Sequence, residues 1–260
     1  MRRRRLAALV AGGALALAAT GCGSDAGDGG SAERPRLIVS AAASLKDAFT
    51  SYADGYRPAE ARLSFAGSDE LAAQIRQGLR PDVFAAANTE LPRRLFREGL
   101  VERPRVFAGN ELVIAVPARD ATIDGIDDLA DRAVKLAIGS QGVPVGAYTR
   151  QVLARLPPSQ REPILARVRS TEPDVKGVVG KIIQGAVEAG FVYRTDVVAT
   201  DGRLRAVALP QALRPRVEYG VAVVKGAEQP GAAHAFVAGL LRGAGARILR
   251  EHGFLEPSGA

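Results

Sequence analysis

Apolar and polar positions along the chain from about Arg36 to Pro257 follow two alternating periods. Short runs of Val, Ile, Leu and Ala bounded by Gly, Pro, Asp or Ser predict strands over Arg36–Ala41, Arg62–Ala66, Asp82–Ala87, Leu112–Pro117, Val134–Ile138, Gly190–Tyr193 and Val217–Val224. Between them, apolar residues at helical spacing predict helices over Leu45–Tyr56, Ser68–Gly78, Leu91–Gly99, Val145–Leu156, Val175–Ala186 and Ala233–His252. Strand then helix, repeated, implies an α/β fold with mainly parallel sheets. At this length two lobes are expected. Two long Val-rich segments, Phe107–Pro117 and Arg216–Lys225, lie where the chain would leave the first lobe and return to it, as two hinge strands. They place one lobe at 36–110 and 218–260 and the other at 111–217. The cleft between lobes is the default place for a ligand. The sequence carries no internal repeat and no heptads, and after residue 21 it has no apolar run long enough to span a membrane.

Before residue 36 the pattern changes. Arg2–Arg5 form a basic start, Leu6–Ala19 an apolar stretch, and Ala19-Thr20-Gly21-Cys22 closes it with small residues before the only cysteine. This reads as a lipoprotein signal peptide over 1–21 with Cys22 as the lipidated residue. Gly23–Glu33 has no apolar periodicity, so 22–35 is expected to be a flexible tether. The protein is therefore expected to be exported, either lipid-anchored on the outer face of the cytoplasmic membrane or periplasmic. An acylated Cys22 leaves no thiol for a disulfide, redox chemistry or thiolate metal binding.

Loss of the four arginines at 2–5 lowers the formal net charge from +7 to +3, which removes the main support for nucleic-acid binding. The remaining arginines are dispersed, and the few aromatics do not interleave with them as a strand-binding groove requires. A mildly basic surface draws small anions inward only as a rate effect.

Five patches offer hydroxyls or backbone amides at helix starts or strand ends: Ala41–Asp47, Phe65–Leu71, Val143–Ala147, Pro173–Gly177 and Val192–Asp196. None needs a formal charge, which suits a site that grips a small anion by hydrogen bonds alone. Ser44, with Asp47 three residues on, also has a capping-box pattern, but Ala41, Ala42 and Ala43 would let a ligand approach the backbone beside its hydroxyl. Phe65-Ala66-Gly67-Ser68 repeats the arrangement, with Gly67 permitting a tight bend. In Val143-Pro144-Val145-Gly146 and Glu172-Pro173-Asp174-Val175-Lys176, amides just past the helix start lack intrahelical acceptors. Asp174 also reads as an N-cap, which coexists with amide donation. Tyr193 ends a strand, where its phenol is either half-buried or a donor into the cleft.

In this order, Ala41-Ala42-Ala43-Ser44-Leu45, Phe65-Ala66-Gly67-Ser68, Pro81-Asp82-Val83-Phe84, Val143-Pro144-Val145-Gly146 and Gly190-Phe191-Val192-Tyr193 with Asp196 resemble the successive motifs of the molybdate-binding proteins of ABC importers. The resemblance extends to Glu218-Tyr219 and His252-Gly253-Phe254. It implies a two-lobed class II periplasmic-binding fold, monomeric, that binds molybdate or tungstate and delivers it to an importer permease. Carried over, its oxyanion contacts fall on Ser44, Ser68, Val145, Val175 and Tyr193, with molybdenum bound as its oxyanion and neither a free metal cation nor a cofactor. The chain departs from the family pattern at Asp69, where a small polar residue is common, at Val145, where Ala is usual, and at Asn88, where Asp is common.

Two alternatives stand beside this. Sulfate or another tetrahedral oxyanion would use the same neutral donors, with selectivity resting on cavity size and donor number. An exported enzyme would need a nucleophile, base and orienter, and the sequence shows no Gly-x-Ser-x-Gly elbow and no phosphate-binding Gly-rich loop with its lysine. His234 and His252 are remote in sequence from the five patches, and Asp124, Asp127, Asp128 and Asp131 read as a solvated face with a helix cap.

Overall fold

The computed structural model describes residues 34–257. The signal over 1–21, Cys22 and the tether as far as residue 33 lie outside the described residues. In chain order the elements are β1 (Arg36–Ala42), a 3₁₀ turn over Ala43–Leu45, α1 (Lys46–Asp54), β2 (Glu60–Ala66), α2 (Ser68–Arg76), β3 (Val83–Ala86), α3 (Glu90–Arg97), β4 (Arg105–Asn110), β5 (Leu112–Pro117) and α4 (Ile126–Asp131). There follow β6 (Leu136–Gly139), α5 (Pro144–Ala154), α6 (Pro158–Ala166), β7 (Val168–Glu172), α7 (Val175–Ile183), β8 (Ala189–Tyr193), α8 (Arg194–Val198), β9 (Leu204–Ala208), β10 (Val217–Val223), α9 (Pro230–Arg242) and α10 (Ala244–Glu251).

Two five-stranded sheets organise the lobes, in the orders β2-β1-β3-β10-β4 and β7-β6-β8-β5-β9. Within the first, β1 runs parallel to β2 and β3, while β10 is antiparallel to β3 and β4. The second repeats this, with β6 parallel to β7 and β8, and β5 antiparallel to β8 and β9. The sheets are thus mixed where mainly parallel ones are expected. Each antiparallel strand follows a passage between the lobes, and so enters its new sheet against the βα direction.

Burial follows position in the sheet. The inner strands β3, β6 and β8 are buried at every residue, the continuous apolar run of a strand covered on both faces. The edge strand β7, Val-Arg-Ser-Thr-Glu, alternates half-buried and exposed residues. The segment predicted as one strand over Phe107–Pro117 is two: β4 ends at Asn110 in the first sheet, and β5 starts at Leu112 in the second. The return passage precedes β10, over 209–216, and β10 lies wholly in the first sheet. The helix predicted over Ala233–His252 starts earlier, at Pro230, and breaks at Gly243, whose extended backbone separates α9 from α10.

Candidate functional site

The parallel strands of both lobes end at the same cleft, so the helices that follow them start there. On the first-lobe side, the chain leaves β1 through Ala42 and Ala43 into the 3₁₀ turn that carries Ser44. The capping box suggested by Ser44 and Asp47 does not form: α1 is preceded by Leu45, and the Ser44 hydroxyl instead lies 3.0 Å from the phenol oxygen of Tyr219 on β10. Ser68 opens α2, and its Oγ accepts the backbone N–H of Ala87 at 3.1 Å. Neither serine hydroxyl is used as a cap.

From the second lobe, α5 presents its first turn, with Pro144 at the start and Val145 next. Its first amides have no intrahelical acceptor. At the start of α7, Val175 follows Asp174, whose carboxylate accepts the N–H of Gly177 at 2.9 Å, so the N-cap reading of Asp174 holds. Tyr193 ends β8, with its ring edge-on to Tyr219 at 5.9 Å and to Tyr148 at 6.5 Å. Its phenol oxygen is buried and has no hydrogen-bond partner among the described residues. Burial holds its pKa well above the ordinary phenol value, so it remains a neutral donor.

Ser44, Ser68, Val145, Val175 and Tyr193 all line one small cavity. Its other walls are Ala42, Ala43, Ala66, Gly67, Ala87, Val143, Pro144 and Asp174. Asp174 alone among these carries a charge, and its carboxylate is turned to its own helix. The two sides meet closely: a Cβ on Gly67 would come within 2.6 Å of the Pro173 carbonyl oxygen.

This chain belongs to the bacterial extracellular solute-binding proteins. The sequence profile of that family, Bacterial extracellular solute-binding protein, matches residues 37–255. The resemblance read from the motifs is borne out by relatives. The Molybdate-binding protein ModA of Mycobacterium tuberculosis H37Rv is 34% identical over 227 residues, 85% of each chain. A structure described as the substrate-binding domain of a molybdenum ABC transporter from Clostridium difficile is 28% identical, with a TM-score of 0.66 over 86% of this chain and 99% of its own. The sulfate-binding protein SubI of Mycobacterium tuberculosis shares the fold, with a TM-score of 0.77 over 86% of this chain and 88% of its own, at 16% identity.

Each departure from the family pattern in this solute-binding protein has a local account. Asp69, in the first turn of α2, does not line the cavity; a Cβ on Gly142 would meet its Oδ2 at 2.6 Å, so it points at the second lobe's loop before α5. The larger side chain of Val145 sits over Gly139, where a Cβ would come within 2.6 Å of it. Asn88 accepts the N–H of Leu91 at 3.0 Å at the start of α3, an acceptor role that Asp would fill equally.

Behind the cavity lie groups to which the sequence reading gave no role, although Tyr219, Asp196, Lys176 and Asp47 fall within the motifs and patches it quoted. Asn110 donates from Nδ2 to Thr195 Oγ1 at 2.9 Å and to the Tyr219 hydroxyl at 3.3 Å. Lys176 joins the lobes, 3.0 Å from Asp47 on α1 and 3.3 Å from the buried Asp196 on α8. Burial pushes the Asp196 carboxyl up to about 6, against the pull of Lys176. Burial also draws the Lys176 ammonium down, but Asp196 and Asp47 outweigh it and hold its pKa above the ordinary value.

The remaining candidates lie apart from the cavity. His234 pairs with Glu102 at 2.8 Å, and His252 lies 3.1 Å from Ser51. Asp128 accepts the N–H groups of Asp124 and Gly125 before α4, the helix-cap role read for that acidic run. Among the described residues no group of three or more His, Cys, Asp or Glu could hold a metal ion, and no helix is long and apolar enough to cross a membrane.

Proposed function

We propose that this chain binds molybdate, or the near-isosteric tungstate, in the cavity between its lobes and delivers it to the permease of an ABC importer, acting as a binding protein and not as an enzyme. The observation that carries the reading is the donor set itself. The residues that carry two serine hydroxyls, the first-turn amides of α5 and α7 and the partnerless phenol of Tyr193 all line one small space that no cationic side chain lines. Neutral N–H and O–H donors around a doubly charged tetrahedral oxyanion are the charge-assisted case, and the starts of α5, which has no side-chain cap, and of α7, where Asp174 takes only the Gly177 N–H, add their dipoles. The first-lobe donors come from segments within 36–110 and the second-lobe donors from within 111–217, so one small ion between them holds the lobes together. The passages at Glu111 and 209–216 then serve as the hinge, and the permease reads the closed shape. Membrane attachment through acylated Cys22 keeps the protein beside that permease.

Calorimetric titration of the purified chain with molybdate, tungstate, sulfate and hydrogen phosphate tests this. One site for molybdate or tungstate is expected, with the melting temperature raised by either. Tyr193→Phe removes one hydrogen bond to a charged partner and should weaken binding about 10- to 200-fold. A sulfate reading is the alternative, because the fold is shared with SubI and the donors suit either anion. Stabilisation by sulfate with none by molybdate or tungstate would decide for it.

A further inference from the structure

We infer that Asn110 and Tyr219 are positioning residues that make Ser44 an obligate hydrogen-bond donor to the bound oxyanion, through a one-way chain of hydrogen bonds beginning at the passage between the lobes. This rests on the proposed role of Ser44 as an oxyanion contact. Asn110 is the last residue of β4, directly before the step into the second sheet. Its Oδ1 accepts the N–H of Glu111 at 2.9 Å, which fixes the amide so that Nδ2 carries its two hydrogens the other way. One hydrogen goes to Thr195 Oγ1 at 2.9 Å on the second lobe, the other to the Tyr219 hydroxyl at 3.3 Å on the first.

The Tyr219 oxygen therefore accepts from behind. Its own proton has the Ser44 oxygen as an acceptor, at 3.0 Å. The reverse direction, Ser44 donating to Tyr219, would strand the proton of a fully buried phenol and turn serine lone pairs toward an anion. With Tyr219 donating, the Ser44 proton is left for the cavity. Ser68 reaches the same state by a shorter route, since its oxygen accepts the Ala87 N–H and its proton is likewise free for a ligand. Both hydroxyls thus receive from the fold and give to the cavity. An oxyanion that carries its own proton, such as hydrogen phosphate, meets a hydroxyl proton at each serine and has as acceptor only the second lone pair of an oxygen that already accepts from the fold.

The test is a double-mutant cycle by calorimetry on the full chain, with Tyr219→Phe, Ser44→Ala and the pair, titrated with molybdate and with hydrogen phosphate. Loss of the donor behind Ser44 should weaken molybdate about 2- to 12-fold and narrow the preference over hydrogen phosphate, because the freed serine can then accept. With Ser44 already Ala, Tyr219→Phe should have no further effect on either anion. Equal losses with and without the serine hydroxyl, or an unchanged anion preference, would overturn the inference. Should Tyr219→Phe fail to fold, Asn110→Asp is run in the same cycle: a carboxylate takes the Tyr219 proton and reverses the chain, so its effect must be larger with Ser44 present than with Ala, and equal effects overturn the inference. Native chain that binds neither molybdate, tungstate nor sulfate would instead overturn the oxyanion reading on which the inference rests.

Discussion

Replacing Gly67 with Ala should block closure of the lobes while leaving each lobe intact. The glycine has φ −58° and ψ 136°, a conformation open to any residue, so its requirement is one of space. An alanine Cβ would sit 2.6 Å from the carbonyl oxygen of Pro173 across the cleft, an atom fixed in the backbone just before α7. Reaching an ordinary contact of about 3.5 Å demands that the two sides separate by roughly 1 Å at this point. A charge-assisted bond of about 2.8 Å stretched by that amount falls outside hydrogen-bond range. Val145, Val175 and Tyr193 all belong to the side that is pushed away, and losing even one such bond costs about 1.5–3 kcal/mol. We therefore expect molybdate to bind at least about 100-fold more weakly, with the ligand-free melting temperature little changed.

Gly142→Ala supplies the matched control. Its Cβ would also meet an atom at 2.6 Å, but that atom is Oδ2 of Asp69, the end of a side chain that can turn. A rotamer adjustment of about 0.5–1 kcal/mol should cost only about two- to fivefold in affinity. Calorimetry gives the affinities, and small-angle scattering gives the fall in radius of gyration on adding molybdate. If Gly67→Ala binds molybdate within about threefold of the native chain and still contracts, the close approach of Gly67 to Pro173 is not what limits closure.

Ser44→Ala and Ser68→Ala should each weaken molybdate binding by about 10- to 200-fold, and a normal affinity accompanied only by a lower melting temperature would leave the hydroxyls as structural groups. Lys176→Met should destabilise the free protein by about 3–5 kcal/mol in urea titrations, because it strands the buried Asp196, whereas Asp47→Asn, which breaks the half-exposed arm of the same cluster, should cost no more than about 1 kcal/mol; equal costs would refute this division. Asp196 binds its proton more readily folded than unfolded, so its contribution to stability is complete below about pH 4 and is lost as pH rises through about 6. Relative to Asp196→Asn, the native chain should therefore lose on the order of 2–3 kcal/mol between those limits, and a constant difference from pH 4 to 7 would show that the carboxyl is not so shifted.

How much of this was legible in the sequence depended on whether the cause was local. The inner strands β3, β5, β6 and β8 read directly from their apolar runs, because both of their faces are buried, and β1 from the buried run that follows its exposed Arg36 and Ile38. The strands passed over, β7 and β9, and β4, which was merged with β5, are all sheet edges. Val-Arg-Ser-Thr-Glu pairs its backbone as β7 while exposing alternate side chains, so its composition resembles a loop. Helix α6 was hidden by Pro157, Pro158 and Pro163, which a pattern reading takes as breaks although the first two precede or open the helix.

The candidate site divides along the same line. Ser44, Ser68, Val145, Val175 and Tyr193 each occupy a strand end or the turn into a helix, and in a parallel βα arrangement all such points fall at one end of the sheet. A local pattern was therefore enough to propose them, and two lobes facing each other through those ends bring them to one cavity. What gives the hydroxyl of Ser44 its direction is Tyr219, 175 residues away, which in turn accepts from Asn110, 109 residues from it. Nothing in the spacing of either residue distinguishes it from ordinary strand packing. They reach Ser44 because β10 re-enters the first sheet antiparallel between β3 and β4, which sets Tyr219 opposite Ala108, close to where β4 ends at Asn110. The donors of the site are thus written in short motifs, while the direction in which one of them donates is a property of the passage between lobes and exists only once the chain has crossed and returned.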